Sequence, residues 1–385
     1  MKKGLNENMN IQNIRKQIDA VDNQLAELIN KRMEIVKNIA EYKKQSGVGI
    51  ADRKREMEIL NRVCEGENED YLRLIFGAVF DSSRAFQSAF LNSKNALSER
   101  ISSALADTPA LFPRKATVAC QGVEGAFSQQ ACNRLFPIAN VMFFSEFEHV
   151  FKAVESELCA YGILPLENSS YGSVGEVYDL MRTKNFNIVR SIRMHIHHAL
   201  LAKKGVKLEE ITEVLSIDPA LGQCGEFLKT LKNVKTTAFE NTAAAAEYAA
   251  KSADRGIAAV CSPNCADYYG LDVLADGIQN SDNNYTRFIC ISKKTEIYPG
   301  SNRISLMLSL PHEPGSLYRL VGRFAALGLN LNKLESRPIQ GKDFSFMFYF
   351  DFEGSVVDER VRALLADLSE SNHSFVFLGN YLEVN

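Results

Sequence analysis

Residues from about 10 to 90 repeat their apolar side chains at steps of three and four, which is the spacing of one helix face. The segment contains no proline. Its first part carries the longest apolar row, which consists of Ile11, Ile14, Ile18, Val21, Leu25, Leu28, Ile35 and Ile39. The pattern predicts an all-α helical bundle with helices over residues 10–45, 51–65 and 69–90.

The first predicted helix is too long for its neighbours. At 1.5 Å per residue, a helix over residues 10–45 extends about 54 Å, and the other two helices are too short to cover it. A long uncovered apolar row calls for a partner surface, which a second copy of the chain supplies. We therefore expect a homo-oligomer, at least a dimer, that forms through this helix.

The pattern changes twice further along the chain. Residues 91–114 are polar and contain a proline near their end, which predicts a linker over 94–114 after a helical domain over 1–93. Short apolar runs then alternate with helical stretches, which predicts an α/β domain over 115–294 with a largely parallel sheet. Residues 300–385 have the order strand, helix, strand, strand, helix, strand, the ferredoxin-like βαββαβ arrangement of an α+β domain.

Composition and charge narrow the classes of function. The chain has 385 residues, of which 46% are hydrophobic and 24% are charged, and its formal net charge is −3. No clustered basic stripe is visible, so we expect no nucleic-acid partner. No stretch approaches the roughly 20 apolar residues of a membrane span, and the N-terminus is polar, so we expect a cytoplasmic protein without membrane contact. Eight cysteines without paired spacing predict reduced, mostly buried thiols rather than a metal site.

Polar side chains interrupt the apolar rows of all three predicted helices. Burying such groups without partners costs free energy, so they either pair with one another or enclose a polar ligand. One polar residue in such a row can also serve only to fix the register of the bundle. Three helices with the same feature favour a pocket for a small dicarboxylate that carries a hydroxyl. The predicted cluster consists of Arg32, Lys43, Arg55, Glu56, Ser83 and Gln87.

The spacing of this cluster resembles the all-helical chorismate mutases over almost the whole of residues 11–90. The matching positions are Arg15, Arg32, Lys43, Asp52, Arg55, Glu56, Ser83 and Gln87. The resemblance implies that all eight contact the substrate chorismate, with Arg15 entering from the second subunit. The reaction is a pericyclic rearrangement without a nucleophile or proton transfer. Catalysis is therefore expected from holding the folded conformer and stabilising charge on the breaking ether.

The resemblance also assigns individual roles within this cluster. It implies that Arg15 and Arg32 bind the carboxylates and that Lys43 and Gln87 hydrogen-bond the ether oxygen. It implies further that Glu56, near Asp52, binds the ring hydroxyl.

Three segments of the middle domain combine glycine with hydroxyl or amide groups near the junction of a strand and a helix. They are residues 122–128 (GVEGAFS), 164–174 (LPLENSSYGSV) and 284–288 (NYTRF). Helix starts offer free N–H groups, so Ser128 and residues 172–175 are candidate carboxylate sites, although ordinary capping is the better explanation of any one loop taken alone. His195, His197 and His198 lack an accompanying acidic or cysteine ligand, which favours a structural role and predicts no metal.

Together these segments resemble the prephenate dehydratases over residues 115–294. The resemblance implies two lobes, as in periplasmic binding proteins, with prephenate in the cleft and no cofactor. It implies that Thr286 is required for dehydration and that Asn168, Ser216 and Gln223 belong to the site, where Ser169 and Arg287 are further candidates for substrate binding. We expect Thr286 to donate a hydrogen bond to the leaving hydroxyl, and Glu167 is the candidate proton donor.

One segment departs from that family. The family commonly has Ser-His-Pro-Gln where this chain has Ser216, Ile217, Asp218 and Pro219. Any role of the histidine is therefore open in this chain.

The C-terminal domain carries two short motifs that resemble those of amino-acid-binding ACT domains. The first is Gly315-Ser316-Leu317-Tyr318, where the family has glycine-alanine-leucine-valine, and the second is Glu335-Ser336-Arg337-Pro338. The resemblance implies phenylalanine bound between two subunits and feedback inhibition of the dehydratase. The bulky Tyr318 is a departure that affects the geometry of this site.

The three resemblances predict a bifunctional chorismate mutase/prephenate dehydratase that responds to phenylalanine. Two alternatives stay open. The middle domain can be an arogenate dehydratase, which applies the same chemistry to an amino analogue of prephenate. The chain can also be a metabolite sensor without catalysis, in which the helices serve only to dimerise.

Overall fold

The computed structural model describes residues 11–46, 52–91, 95–339, 346–372 and 374–384. Two compact units are present. The first comprises the described residues of Met1–Glu99, Glu313–Leu327 and Val357–Asn372, and the second those of Arg100–His312, Gly328–Val356 and His373–Asn385. Positions 10 and 51, where the first two helices are predicted to begin, and position 94, the predicted start of the linker, lie outside the described residues.

The helices and strands are numbered in chain order. The helices are α1 (Ile11–Ser46), α2 (Arg53–Val63), α3 (Glu69–Leu91), α4 (Ala96–Asp107), α5 (Phe127–Leu135), α6 (Phe147–Glu155), α7 (Gly175–Thr183), α8 (Asp218–Gln223), α9 (Gly225–Leu228), α10 (Thr242–Lys251), α11 (Cys265–Tyr269), α12 (Ser316–Ala326) and α13 (Glu359–Ser371). The strands are β1 (Lys115–Gln121), β2 (Ile138–Phe144), β3 (Tyr161–Asn168), β4 (Gly172–Ser173), β5 (Asn187–His195), β6 (Ala199–Lys203), β7 (Glu213–Ser216), β8 (Lys235–Ala238), β9 (Ile257–Cys261), β10 (Leu271–Asp276), β11 (Tyr285–Ser292), β12 (Arg303–Ser309), β13 (Leu331–Pro338), β14 (Phe346–Glu353) and β15 (Phe375–Val384).

The first unit is helical. Its first three helices, α1 to α3, follow the predicted spans closely, and α3 packs against α1, α2 and α13. The predicted apolar row of α1 is open to solvent in the single chain, since Val21 is 54% exposed and Leu28 is 62% exposed. The uncovered apolar surface expected from the sequence is therefore present on α1.

The predicted linker over 94–114 is wrong for most of its length, because residues Ala96–Asp107 form α4. Asn95 accepts a hydrogen bond from the Ser98 N–H at 2.8 Å, as a residue that starts a helix does. Ile101 and Ala104, three residues apart on one face, are both buried. The serine-rich composition of this segment conceals a short amphipathic helix.

The second unit contains two sheets, which form the two lobes of the middle domain. The first-lobe sheet includes β2, β1, β3, β11 and β5 in that order, and the second-lobe sheet has the order β10-β6-β9-β7-β8. The predicted largely parallel sheet is wrong, because both sheets are mixed: β11 is antiparallel to β3 and to β5, and β6 is antiparallel to β9 and to β10. Strand patterns identify the elements, but the direction of pairing depends on how the chain crosses between lobes.

The C-terminal residues follow the predicted βαββαβ order. Strands β12 to β15 form an antiparallel sheet in the order β13-β14-β12-β15. β15 also pairs in parallel with β5, so these four strands continue the first-lobe sheet and β13 forms its outer edge. A domain boundary placed at residue 300 therefore cuts through one continuous sheet.

Two further features concern the sequence predictions. All eight cysteines are buried thiols without a disulfide, as predicted. Among the described residues, no helix is both long and apolar enough to cross a membrane.

Candidate active sites

The helical unit brings Arg32 of α1 against α3. The Arg32 guanidinium donates a hydrogen bond to the Ser83 hydroxyl and lies 5.7 Å from the centre of the Phe80 ring. Burial lowers the pKa of Arg32, while the negative charge of Glu56 acts in the opposite direction. Arg32 is thus a partly desolvated cation inside the bundle, which suits the binding of a carboxylate.

Ser83 and Gln87 are one turn apart on α3 and both are buried. Ser83 donates to the Val79 carbonyl at 2.6 Å, and the Gln87 Nε2 donates to the Ser83 carbonyl at 3.2 Å. The Gln87 Oε1 is a buried acceptor that has no hydrogen-bond partner in the described part of the chain. Such an orphan acceptor is costly, and a donor from a bound ligand would satisfy it.

The structure adds a cation that the sequence reasoning missed. Arg84 forms ion pairs with Glu56 and with Asp81. The sequence indicated Arg84 in one way: it directly follows Ser83 and precedes Gln87 by three residues, and residues three apart share a helix face. Glu56 is therefore held by Arg84 inside the bundle.

The other predicted mutase residues lie outside this contact set. Lys43 is half-buried on α1, and Asp52 is the exposed N-cap of α2, where it accepts from the Arg55 N–H at 3.0 Å. The exposed Arg55 side chain pairs with Glu58 at 3.0 Å rather than with Glu56. Arg15 is exposed and lies about 26 Å along α1 from Arg32, so the two do not reach one pocket within a single chain.

In the second unit, the ends of β3 and β11 bring Asn168 and Thr286 together. These two residues are direct partners across the antiparallel pair. The Asn168 Nδ2 donates to the Thr286 Oγ1 at 2.9 Å and to the Asn284 Oδ1 at 2.8 Å. Thr286 therefore accepts at its oxygen and keeps its own proton for donation to a third group.

Gln223, at the end of α8 in the second lobe, reaches across to the same cluster. Its Oε1 accepts from the Asn284 Nδ2 and lies within hydrogen-bond distance of the His198 Nε2, both at 2.9 Å. Its Nε2 donates to the Asn168 Oδ1 at 3.4 Å. Close by, the Tyr171 hydroxyl lies against Gly222, where any side chain would collide with it.

The remaining hydroxyl candidates have structural partners. The Ser169 Oγ donates to the Asn283 carbonyl at 2.8 Å and accepts from the Tyr285 N–H at 2.9 Å, which fixes the loop after β3. Ser216 is fully buried at the end of β7 and donates to the Val260 carbonyl at 2.6 Å. Ser128 donates to the Gln121 carbonyl, which is a local bond rather than a carboxylate site.

Glu167 and Arg287 do not join the Asn168 and Thr286 cluster. They are partners of each other across β3 and β11, with 3.3 Å between the Glu167 Oε1 and the Arg287 Nη1. Lys333 of β13 lies 3.0 Å from the Glu167 Oε2. Burial alone would raise the pKa of Glu167, but the hydrogen bonds and charges of Lys333 and Arg287 outweigh it and lower the pKa below its usual value. The lowered pKa favours the ionised carboxylate, and the role of Glu167 as a proton donor stays a prediction.

Arg287 lies in a network of opposite charges, and its role in substrate binding stays a prediction. It is 6% exposed and pairs with Asp351 of β14 and with Glu383 of β15 as well as with Glu167. Arg303 completes this cluster, at 3.2 Å from Asp351 and 2.8 Å from Glu383. Three carboxylates therefore surround the Arg287 guanidinium, which joins β11 to the C-terminal strands.

The first effector motif lies at the start of α12 in the first unit. Gly315 has a φ of 80°, and the neighbouring Leu317 is the second residue of the helix. Ser316 is buried, and its hydroxyl accepts from the Arg319 Nη2 at 3.1 Å. Gly315 and the exposed Tyr318 line a groove of about 810 Å³ together with α3 and α13.

The second effector motif lies on β13 in the second unit, where it contacts β4 and α7, which follow β3. The Ser173 Oγ donates to the Glu335 Oε2 at 2.7 Å, and Arg337 pairs with Asp179 of α7 at 2.7 Å. Ser336 and Pro338 alternate with these residues and face solvent.

No group of three histidine, cysteine, aspartate or glutamate side chains arranged to hold a metal occurs among the described residues. The two sites instead consist of cations, amides and hydroxyls. A helical pocket of that kind, followed by a two-lobed α/β domain with an amide and hydroxyl cluster between its lobes, defines a two-site enzyme that acts on small anions.

Comparisons with known proteins identify the family. The family model for chorismate mutase type II matches residues 14–88, and the model for prephenate dehydratase matches residues 118–296. A bifunctional chorismate mutase/prephenate dehydratase from Aquifex aeolicus (strain VF5) is 32% identical over 373 residues, which are 96% of this chain and 97% of that protein. The chain belongs to this bifunctional family, and it is an enzyme of aromatic amino acid biosynthesis with an isomerase and a lyase domain.

Two further similarities concern the dehydratase part. Arogenate dehydratase 2 from Petunia hybrida is 36% identical over 307 residues, which are 75% of this chain and 77% of that protein. The structure of a prephenate dehydratase in complex with L-Phe from Arthrobacter aurescens aligns with a TM-score of 0.64 at 28% identity, and covers 69% of this chain and 89% of that chain.

Proposed function

We propose that the helical unit rearranges chorismate to prephenate and that the cluster between the two lobes dehydrates and decarboxylates prephenate to phenylpyruvate. The observation that carries the second assignment is the Asn168 amide, which holds the Thr286 hydroxyl at 2.9 Å where the lobes meet. The proposal places the two reactions in separate pockets and requires no cofactor.

In the mutase pocket, Arg32 binds a carboxylate of chorismate while Ser83 fixes its guanidinium. Lys43 and Gln87 stabilise the negative charge that develops on the ether oxygen. Gln87 is supported by its burial and by its Nε2, which donates to the Ser83 carbonyl and has a second N–H that can donate to the ether oxygen. A dimer completes the pocket through Arg15, in agreement with the exposed apolar row of α1.

In the dehydratase cleft, the Thr286 hydroxyl donates a hydrogen bond to the departing ring hydroxyl. Asn168 supports this direction, because its Nδ2 already donates to the Thr286 oxygen and so turns the hydroxyl proton outward. Closure of the lobes over prephenate removes water from its ring carboxylate, which favours loss of CO₂. From the second lobe, Gln223 donates a hydrogen bond to the Asn168 Oδ1.

We infer further that residues 300–385 form a regulatory ACT domain that binds phenylalanine and inhibits the dehydratase. The βαββαβ order and the two motifs support this assignment. β13 lies at the sheet edge, where a second subunit has access to it. The eight buried thiols agree with a cytoplasmic location, where cysteines stay reduced.

Two variants test the separation of the reactions. Lys43→Ala should lower mutase kcat/KM by about 10²- to 10³-fold, the usual effect of removing one donor to a developing oxyanion, and should leave the dehydratase intact. Thr286→Ala should abolish dehydration and spare the mutase, whereas Thr286→Ser should retain much of the activity. Lys37→Ala, which removes an exposed lysine from the same helix as Lys43, is the matched control.

The outcome is decided by assaying both reactions on every variant. Loss of both activities in either alanine variant would indicate misfolding, and full mutase activity in Lys43→Ala would remove that residue from the site.

Arogenate is a second candidate substrate for the cleft. The similarity to a plant arogenate dehydratase favours testing it. A comparison of kcat/KM for prephenate and for arogenate with the wild-type enzyme decides between them.

A further inference from the structure

His198 is a buried side chain that the mechanism above does not use. It lies between β5 and β6, in a segment that connects the two lobes, and it is 2% exposed. Its backbone is held on both sides, since its N–H donates to the Gln279 Oε1 at 3.0 Å and its carbonyl accepts from the Ile278 N–H at 3.1 Å. The ring is therefore fixed in place at the connection between the lobes.

The contacts of the ring settle its tautomer. The Nε2 lies 2.9 Å from the Gln223 Oε1, and a carbonyl oxygen only accepts, so the Nε2 carries the proton. The Nδ1 is buried without a hydrogen-bond partner in the described residues. The Phe127 ring packs against the imidazole in a T-shaped arrangement, with 5.8 Å between the two ring centres. Burial lowers the pKa of His198, so the ring is neutral.

The same contact determines which way the Gln223 amide points. The Gln223 Oε1 receives two donors, the His198 Nε2 and the Asn284 Nδ2, both at 2.9 Å. Its Nε2 is thereby turned toward the Asn168 Oδ1. The terminal torsion of glutamine has only a broad two-fold preference, so without these donors the amide orientation is not defined.

We propose that His198 is a positioning residue of the dehydratase, which orients Gln223 across the cleft and through it the Asn168 and Thr286 pair. Gln223 belongs to the second lobe, while Asn168 and Thr286 belong to the first. His198 thus orients the amide through which Gln223 contacts Asn168 and Asn284 across the lobes. This inference rests on the proposed dehydratase function of the same cleft.

Substitutions of His198 that keep or remove the donor test this role. His198→Leu removes the donor and should lower dehydratase kcat/KM by about 10- to 100-fold, the usual range for loss of a buried hydrogen bond. His198→Gln places an amide N–H near the position of the Nε2 and should recover to within about fivefold of wild type. His198→Asn, whose amide reaches only the position of the Nδ1, should not recover. His149→Leu, an exposed histidine on α6, is the matched control and should have no effect.

A double-mutant cycle separates positioning from general packing. In a Gln223→Leu background the further change His198→Leu should have little effect, because the group that His198 orients is gone. Mutase activity of the same chains and their thermal unfolding report on folding. If His198→Leu does not fold, the comparison of His198→Gln with His198→Asn tests the positioning role instead.

Wild-type dehydratase activity in His198→Leu, additive losses in the cycle, or equal activity of the Gln and Asn variants would overturn the inference. A wild-type enzyme that turns over neither prephenate nor arogenate would instead refute the proposed function.

Discussion

Neighbouring residues of β3 and β11 serve different parts of the molecule. Side chains alternate along a strand, so Asn168 and Thr286 face the cleft while Glu167 and Arg287 face the ion pairs of the C-terminal strands. Adjacent residues of one motif therefore divide into a pair at the proposed dehydratase site and a pair in the ion-pair network. A motif identified in sequence does not by itself assign all its polar members to one site.

Glu167 gives a prediction at this scale. Its pKa is lowered by Lys333 and Arg287, so its ionised form stabilises the fold at neutral pH, and this contribution disappears as the pH falls through the lowered pKa. Glu167→Gln should reduce the free energy of unfolding at pH 7 by about 1.5–3 kcal/mol, the range for hydrogen bonds to charged groups. Urea denaturation from pH 7 down to about pH 3.5 should show the difference from wild type shrinking.

Glu155→Gln, which changes an exposed carboxylate of α6, is the control for Glu167→Gln. A proton donor must be protonated to act, so its ionisation sets the alkaline limb of a pH–rate profile, and dehydration should keep that limb in Glu167→Gln. A variant that lost this limb would support Glu167 as the proton donor.

At the scale of elements, β13 is fastened to the loop and helix that follow β3. Lys333 donates to the Ser173 Oγ at 2.8 Å, and Arg337 forms two bonds to Asp179 of α7, at 3.1 and 2.7 Å. A Cβ at Gly175 would lie 3.1 Å from the Arg337 Nη1, so this arginine lies directly over the start of α7. A path of direct contacts therefore connects the strand with the second effector motif to the loop that follows Asn168.

Asp179→Asn tests this path without altering the effector motif. The pair is partly exposed, and such pairs contribute about 0.2–1 kcal/mol, so the phenylalanine concentration for half-inhibition should shift by at most about fivefold. Substrate should weaken phenylalanine binding, measured by equilibrium dialysis, by the same factor by which phenylalanine weakens substrate binding, because coupling between two sites is reciprocal. Unchanged inhibition in both Asp179→Asn and Arg337→Lys would exclude the pair as part of the coupling. Glu176→Gln, an exposed carboxylate of the same helix, is the control.

At the scale of the whole molecule, the C-terminal strands are part of the dehydratase sheet. β15 pairs with β5, and the fully buried Asp351 joins Arg287 of the dehydratase motif to Arg303 of β12. Removal of residues 300–385 would leave Arg287 buried without two of its partners. Truncation is consequently a poor test of regulation in this chain, and point substitutions are preferable.

Asp351→Asn should destabilise the second unit by about 3–5 kcal/mol, because it leaves two buried cations with one fewer counter-charge. Dehydratase activity and the intrinsic fluorescence of the tyrosines should be lost together at a lower urea concentration than in wild type. Asp107→Asn, an exposed aspartate at the end of α4, should behave as wild type. Loss of the C-terminal strands at low urea with retained dehydratase activity would show that the two parts fold independently.

The sequence alone determined the three helices of the bundle, the βαββαβ order of the C-terminal residues and several strands and helices between them. It also predicted polar members for both sites. These features depend on the spacing of residue types along the chain, which the sequence shows directly. Arg84, Asn284 and His198 were missed as site residues because their roles come from contacts between distant segments. The helix α4 was missed because its apolar positions are few and its serines favour a linker.

Tertiary structure decided which of the polar residues act together. Glu167 and Arg287 form ion pairs because the return of β11 beside β3 and the joining of β15 to β5 surround them with opposite charges. The direction of strand pairing was decided in the same way. Side-chain periodicity fixes which face a residue occupies, but only the packing of distant strands fixes what that face meets.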